Sequence, residues 1–393
     1  MTNIKWKRIR TRGRIVTVGR RLATLFCVAV FCSCTEQSGS GLEPGSGSEP
    51  APSAGTRLKL SYTIPDSQES AALTRAGVIP VARAEESRIE DVRLLFFEQD
   101  DYGNGLYAGT LSGTVEGSSL EKSGKIDFTM PDGGTLDNST GYDVLVIANA
   151  AVYFPGLADI DFDNQCKGRT VNDIRMRFQG DMPREGSSNA YTVTARCLPM
   201  TGVTKKEAGK TDMRVSLLRA AVRIDVRVAE ESKDNIVLMG ATLRNIPATI
   251  PLFGDPRDVR SRLLAFGNVV ESVDNAILGG LYATERYHTA SLSDLASSAS
   301  CLLVQCKQKG YTGNRCWYAV FLNVGTDGVQ YLRRNNAYTV EIRKILSLGT
   351  EDPESALQNG DNTLVKTVII PSEWDVPAND DGSGVIPPEF EIK

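Results

Sequence analysis

Histidine is almost absent from this chain of 393 residues: the single one is His288, in the run ERYHT. With no evident partner beside it, it reads as a surface or packing residue, and the chain has no Cys/His set for zinc. The eight cysteines include no CxxC pair. Cys27, Cys32 and Cys34 lie near the start; Cys166, Cys197, Cys301, Cys306 and Cys316 form an odd set of five, which argues against a full disulfide framework. Most read as small buried hydrophobes, with one bridge open among Cys301, Cys306 and Cys316. Also missing are a GxSxG elbow, an HExxH helix and a P-loop. No carboxylate pair stands out among 48 acidic residues. The run DIDFDN, 159–164, imitates the start of a calcium loop, but its twelfth position is Thr170 where a bidentate Glu is needed. The chain is therefore read as non-enzymatic, with no cofactor and no metal. Aromatics are few at 7%, and Trp317 and Trp374 sit in strand patterns that suggest packing.

Long apolar runs are lacking too. The most apolar stretch, Leu22 to Ser33, is shorter than the roughly 20 residues a spanning helix needs. It follows eight basic residues and no acidic ones within residues 1–33, the layout of a signal peptide. The run ends in Phe31-Cys32-Ser33-Cys34, which is similar to a lipobox, with Cys34 as the thiol that receives lipid. Without those eight, the 44 basic residues fall to 36 against 48 acidic, a net charge of −12. So acidic a chain repels phosphates, and no nucleic-acid partner is expected. Residues 34–56, rich in Ser, Gly, Pro and Glu, read as a flexible tether.

From Arg57 onward short alternating runs are separated by Gly, Asn, Asp and Pro. In RLKLSYTI, 57–64, Leu58, Leu60, Tyr62 and Ile64 share one face, and Arg57, Lys59, Ser61 and Thr63 the other. Further strands are expected at 89–98, 106–113, 124–130, 142–149 and 190–198. A second set covers 214–229, 236–245, 316–323, 337–345 and 364–370. In 214–229, Val222, Ile224, Val226 and Val228 alternate with Arg223, Asp225 and Arg227, which favours strand over helix. Helical pattern is scarce, with 291–300 the best candidate. The class is all-β, with a sandwich domain at 57–210 and another at 211–393, divided in the polar stretch TKKEAGKTD.

The ordered set of lipobox and tether, early strand, arginine-bearing loop, IEDVRLLFF, YDVLVIAN, LLRAAVRIDV, LRNIP, NNAYTVEIRKI and SEWDV resembles the fimbrillins of Bacteroidales. These are the subunits and accessory proteins of type V pili. The resemblance spans most of residues 20–376. It implies two transthyretin-like β-sandwich domains in tandem and a precursor lipid-anchored in the outer membrane. It also implies a cell-surface destination in the fimbrium and a trypsin-like, arginine-specific protease that cuts in the loop after the first strand. The first strand, with Leu58, Leu60, Tyr62 and Ile64, would then leave, and a strand of a neighbouring subunit would fill the groove. Partners would be other fimbrial subunits and host or bacterial surface ligands.

The connection 65–87 is long for a link between strands, as functional loops often are. It offers Arg83 and Arg75, each followed by Ala, with Arg83 favoured because it lies just before the next strand. A solvated surface loop is the plainer alternative. In the tail, Phe390 and Ile392 alternate with Glu389, Glu391 and Lys393 as a candidate donor strand, and Pro387 and Pro388 count against it. The rival function is a surface lipoprotein that binds glycans through an exposed aromatic platform.

Overall fold

Alternation along the chain turns into strands almost wherever it occurs. The computed structural model describes residues 55–64, 84–119, 121–131, 133–154, 159–182, 190–191, 198–253, 262–266, 268–289, 295–310, 315–322, 329–358 and 365–373. The first half holds β1 (Thr56–Thr63), β2 (Ile89–Glu98), β3 (Tyr107–Ser119), β4 (Ser123–Met130) and β5 (Tyr142–Ala148). Three short helices follow, α1 (Ala150–Tyr153), α2 (Asp159–Cys166) and α3 (Val171–Arg177), and then β6 (Gln179–Asp181) and β7 (Ala190–Tyr191). Next come β8 (Met200–Lys206), β9 (Asp212–Ser216) and β10 (Leu218–Arg219).

The second half begins with β11 (Ala221–Val228), β12 (Ile236–Arg244), β13 (Ile246–Pro247) and β14 (Thr249–Pro251). It continues through β15 (Leu263–Phe266), β16 (Val270–Glu271), β17 (Ala276–Thr284), β18 (Arg286–Thr289), α4 (Leu295–Ser298) and β19 (Cys301–Gln308). The last elements are β20 (Cys316–Phe321), β21 (Val329–Leu332), β22 (Asn336–Ile345), α5 (Pro353–Gln358) and β23 (Val365–Glu373).

Seven sheets result among the described residues: three small ones, β13-β15-β7, β14-β6 and β18-β21, and four that face one another in two pairs. The first pairs a three-stranded sheet, β4-β1-β9, with a five-stranded one, β10-β8-β5-β2-β3. Their facing sides share one core: Leu58, Leu60, Tyr62 and Ile64 meet Leu94, Phe96, Val144, Val146 and Met200. The second set is β17-β11-β22-β23 and β16-β12-β19-β20. There Val222, Ile224, Val226 and Val228 of β11 join Leu238, Leu302, Val304, Tyr318 and Val320 in another core. All-β architecture is thus what the alternation predicted.

Three departures from the sequence reading have local causes. First, β5 is buried at every position. One face meets the β1 sheet; the other, with Leu145 and Ile147, lies in the core that also holds Tyr153, Phe154, Phe162, Ile174 and Phe178 of the helical segment. Second, those helices were not legible as periodicity because each is short. Helix α3 starts at a capping box in which Thr170 Oγ1 accepts from the Asp173 amide at 3.1 Å, and Asp173 Oδ2 accepts from the Thr170 amide at 3.2 Å. The rings of Phe154, Phe162 and Phe178 then cluster at 5.1–5.6 Å between centroids. Third, 214–229 is three strands rather than one. β9 pairs with β1 and β10 with β8, so the first pair of sheets extends to Arg219, beyond the boundary drawn at 210, and β11 opens the second.

Candidate functional site

Strand β1 comes first among the described strands and yet lies in the middle of its sheet. It pairs antiparallel with β4 from Thr56↔Met130 to Thr63↔Ser123, and parallel with β9 from Lys59↔Asp212 to Thr63↔Ser216. The four side chains singled out from the sequence all point inward: Leu58 and Leu60 are fully buried, Tyr62 is 2% exposed and Ile64 3%. Arg57, Lys59 and Thr63 face outward and are exposed.

The seat that holds these side chains is built by β4 and β9. Leu58 sits opposite Phe128, Leu60 between Ile126 and Met213, and Tyr62 between Gly124 and Val215. Gly124 is required by that last contact. A Cβ added there would stand 2.6 Å from the Tyr62 hydroxyl oxygen and 2.8–2.9 Å from the ring, so the aromatic side chain lies against bare backbone. Three further backbone bonds tie the strand at its middle and its C-terminal end. Lys59 N donates to Thr211 O at 2.8 Å, Leu217 N to Thr63 O at 2.9 Å, and Ile64 N to Lys122 O at 2.6 Å. Burial, with Arg219 nearby, holds the Lys122 ammonium below its ordinary pKa.

Vacating this seat would uncover four large apolar positions, at roughly 1.5–3 kcal/mol each and so about 6–12 kcal/mol of burial. It would also open two strand edges at once, that of β4 and that of β9. The chain that leaves β1 crosses from the three-stranded sheet to β2 in the opposite one, and the segment that does so contains Arg75 and Arg83. Both arginines lie outside the described residues. So do Cys34, Phe390, Ile392, Trp374 and Cys197.

No family model matches the chain, and no curated protein matches its sequence. Solved structures do. A candidate cell adhesion protein from Bacteroides eggerthii matches with a TM-score of 0.47 at 17% identity, over 82% of this chain and 98% of that one. A candidate cell adhesion protein from Parabacteroides distasonis gives 0.45 at 15%, over 81% and 97%. The tip fimbrial protein Mfa3 from Porphyromonas gingivalis, truncated at its C-terminus, gives 0.45 at 13%, over 81% and 100%.

The remaining residues picked out from the sequence have structural surroundings. Trp317 is 6% exposed and belongs to a small core with Cys301, Leu303, Phe321, Ala356 and Leu357, beneath α5. The calcium-like run is helical, as α2, and Asp163 Oδ1 accepts from the Tyr107 hydroxyl. Thr170, its twelfth position, caps α3 instead. Among the described residues no three His, Cys, Asp or Glu groups gather in a way that could hold a metal ion. None of their helices is long and apolar enough to cross a membrane. Cys166, Cys301 and Cys306 are free thiols, and Cys316 on β20 stands directly opposite Cys306 on β19. Burial pushes the Cys166, Cys301 and Cys306 thiols up to about 12, which makes them inert at neutral pH. His288 is half-buried on β18, opposite Gln330, and burial together with Arg286 lowers its pKa.

Sequence reading found the strand but not its seat. Gly124, Met213 and Val215 carry no local signal, because their role depends on which strands flank β1.

Proposed function

We propose that this chain is a structural or adhesive subunit of a type V fimbria. In this reading it is exported as a lipoprotein anchored through Cys34, cut after Arg83 or Arg75, and assembled by exchange of β1 for a strand of a neighbouring subunit. Its role is non-catalytic, its place the outer membrane and then the cell surface.

One observation carries the reading: the first described strand is the central strand of its sheet, joined to the rest by a segment with two candidate cleavage sites. A strand that joins the rest only through the segment after it can be released by one cut in that segment. Its inward side chains alternate, so a replacement strand with apolar residues at every second position restores both the burial and the ladder bonds. The resemblance of the sequence to fimbrillins gives the class.

The test is limited digestion of the full chain with a trypsin-like, arginine-specific protease. The new N-terminus is sequenced and detergent-resistant multimers are sought. Cleavage after Arg83 or Arg75 with loss of residues 57–64 and a ladder of multimers is the expected result. A peptide of sequence TRLKLSYTI, matching 56–64, should suppress the ladder by refilling the seat. If β1 stays bound after the cut and no multimer forms at any concentration, the reading is wrong.

A further inference from the structure

Directly behind the arginine-bearing segment the chain enters a charged cluster that is closed to solvent. Glu86, Ser87, Arg219, Asp225 and Tyr282 are fully buried, and Arg223 is 1% exposed. Glu86 Oε1 accepts from the Tyr282 hydroxyl at 2.7 Å, and Oε2 from Arg223 Nη1 at 3.2 Å. Arg219 Nε donates to the Glu86 carbonyl and its Nη2 to Ser87 Oγ, each at 3.0 Å. Asp225 Oδ1 closes the set, accepting from Arg223 Nε at 2.9 Å and from the Gly279 amide at 2.6 Å. Burial pulls the Arg223 guanidinium down, but Asp225 and Glu86 beside it outweigh that and leave its pKa above the ordinary value. Both carboxylates thus pair with Arg223, while Arg219 is held by the Glu86 carbonyl and the Ser87 hydroxyl and burial lowers its pKa. Asp225 Oδ2 alone in the cluster lacks a hydrogen bond among the described residues, and the remaining bonds offset much of the cost of burying these charges.

The next few residues are fastened from the other side. The buried Asn149 side chain donates to the Arg88 carbonyl at 2.8 Å and to the Leu198 carbonyl at 2.8 Å, and accepts from the Glu90 amide at 2.9 Å. Ile89, which follows Arg88, is fully buried at the start of β2. A protease must draw several residues on both sides of the scissile bond into an extended, accessible form. At Arg88 that requires undoing the Asn149 clip and the Glu86 cluster together.

We infer that the Glu86–Arg219–Arg223 cluster is a cleavage stop: it shields the Arg88–Ile89 bond from arginine-specific proteolysis and so fixes the N-terminus of the matured chain upstream of it. The inference rests on the maturation reading above and adds the element that limits it. The same cluster adjoins the seat of β1. Arg219 lies two residues after Leu217, whose amide holds the Thr63 carbonyl. The strand that leaves and the terminus that stays are therefore fastened to one stretch of chain. Cuts after Arg75 or Arg83 free the first and spare the second.

The test uses the full chain and the Tyr282→Phe and Glu86→Ala variants, digested with an arginine-specific protease and followed by N-terminal sequencing. The wild-type body should begin at Ala76 or Ala84 and never at Ile89. Tyr282→Phe removes one bond to Glu86 and keeps the ring; it should raise the rate of cutting after Arg88 roughly tenfold, the effect of one lost buried hydrogen bond on local opening. Glu86→Ala should make Ile89 the main terminus. Should Glu86→Ala not fold, Tyr282→Phe and hydrogen exchange of the wild type decide. Slow exchange of the Glu86–Glu90 amides, before and after the cut, is expected. A wild-type terminus at Ile89, free exchange of those amides, or folded variants that show no new cut would each overturn the stop. None of these readouts depends on β1 leaving, so a strand that stays bound after cleavage counts against the proposed function and not against the stop.

Discussion

Leu60 is the sharpest place to test the seat of β1. It is fully buried between Ile126 and Met213, at the middle of a strand bonded on both sides. Leu60→Ala removes three heavy carbon atoms from a packed core whose neighbours belong to two sheets. Such truncations cost about 2–5 kcal/mol, as lost transfer energy plus the cavity left behind. Urea unfolding of the intact chain should therefore show its midpoint falling with that change in free energy and an unchanged slope. In the chain cut after Arg83 or Arg75, β1 is held only by its seat, and the same deficit appears as weaker retention. At tenfold per 1.4 kcal/mol, the equilibrium for losing the strand should shift by about 30-fold to several-thousand-fold. Lys59→Ala, on the exposed face, is the control and should stay within about 0.5 kcal/mol. If Leu60→Ala behaves like Lys59→Ala in both assays, β1 is not seated as described and the burial argument fails.

Two further outcomes follow from the same contacts. Gly124→Ala places a methyl group 2.6 Å from the Tyr62 hydroxyl, so the ring must tilt out of its seat. Overpacking of that kind costs about 1–3 kcal/mol; Tyr62→Leu in the same chain should recover part of it, as read by thermal melting. His288, the only histidine, gives a single C2–H ring signal in proton NMR. Its folded pKa is depressed, so the stability it contributes is fully present above the unfolded value near 6.5 and is lost as pH falls through the folded value. A titration midpoint at or above 6.5 would refute the burial assigned to it.

Much of the architecture is written in period-two patterns. The run 57–64 names both its strand and its buried face, because every second residue there is large and apolar while its neighbours are charged or hydroxylated. Other strands are readable as strands but not as layers. Val144, Leu145, Val146 and Ile147 alternate in nothing, and only the stacking of a sheet on one side and helices on the other explains why all four are buried. The run 214–229 shows the limit most clearly. Its apolar residues alternate at Val215 and Leu217 and again from Val222 to Val228, with the phase slipping by one across LLRAA; Met213, Val215 and Leu217 serve the first core while Val222, Ile224 and Val226 serve the second. The chain changes sheets at Leu217 and Ala220, within that slip in phase, but the slip alone does not say which sheet each half joins.

The candidate site divides the same way. Leu58, Leu60, Tyr62 and Ile64, and the arginines that follow them, stand out in the sequence because they are neighbours along the chain. That β1 is central and not an edge, that Gly124 leaves room for Tyr62, and that Glu86 meets Arg219, Arg223 and Tyr282 are decided by contacts between residues far apart in sequence. Local alternation sets which face of a strand seeks a core. Which core it finds, and which charges are shut in with it, depends on how the sheets pair, and only the tertiary structure decides that.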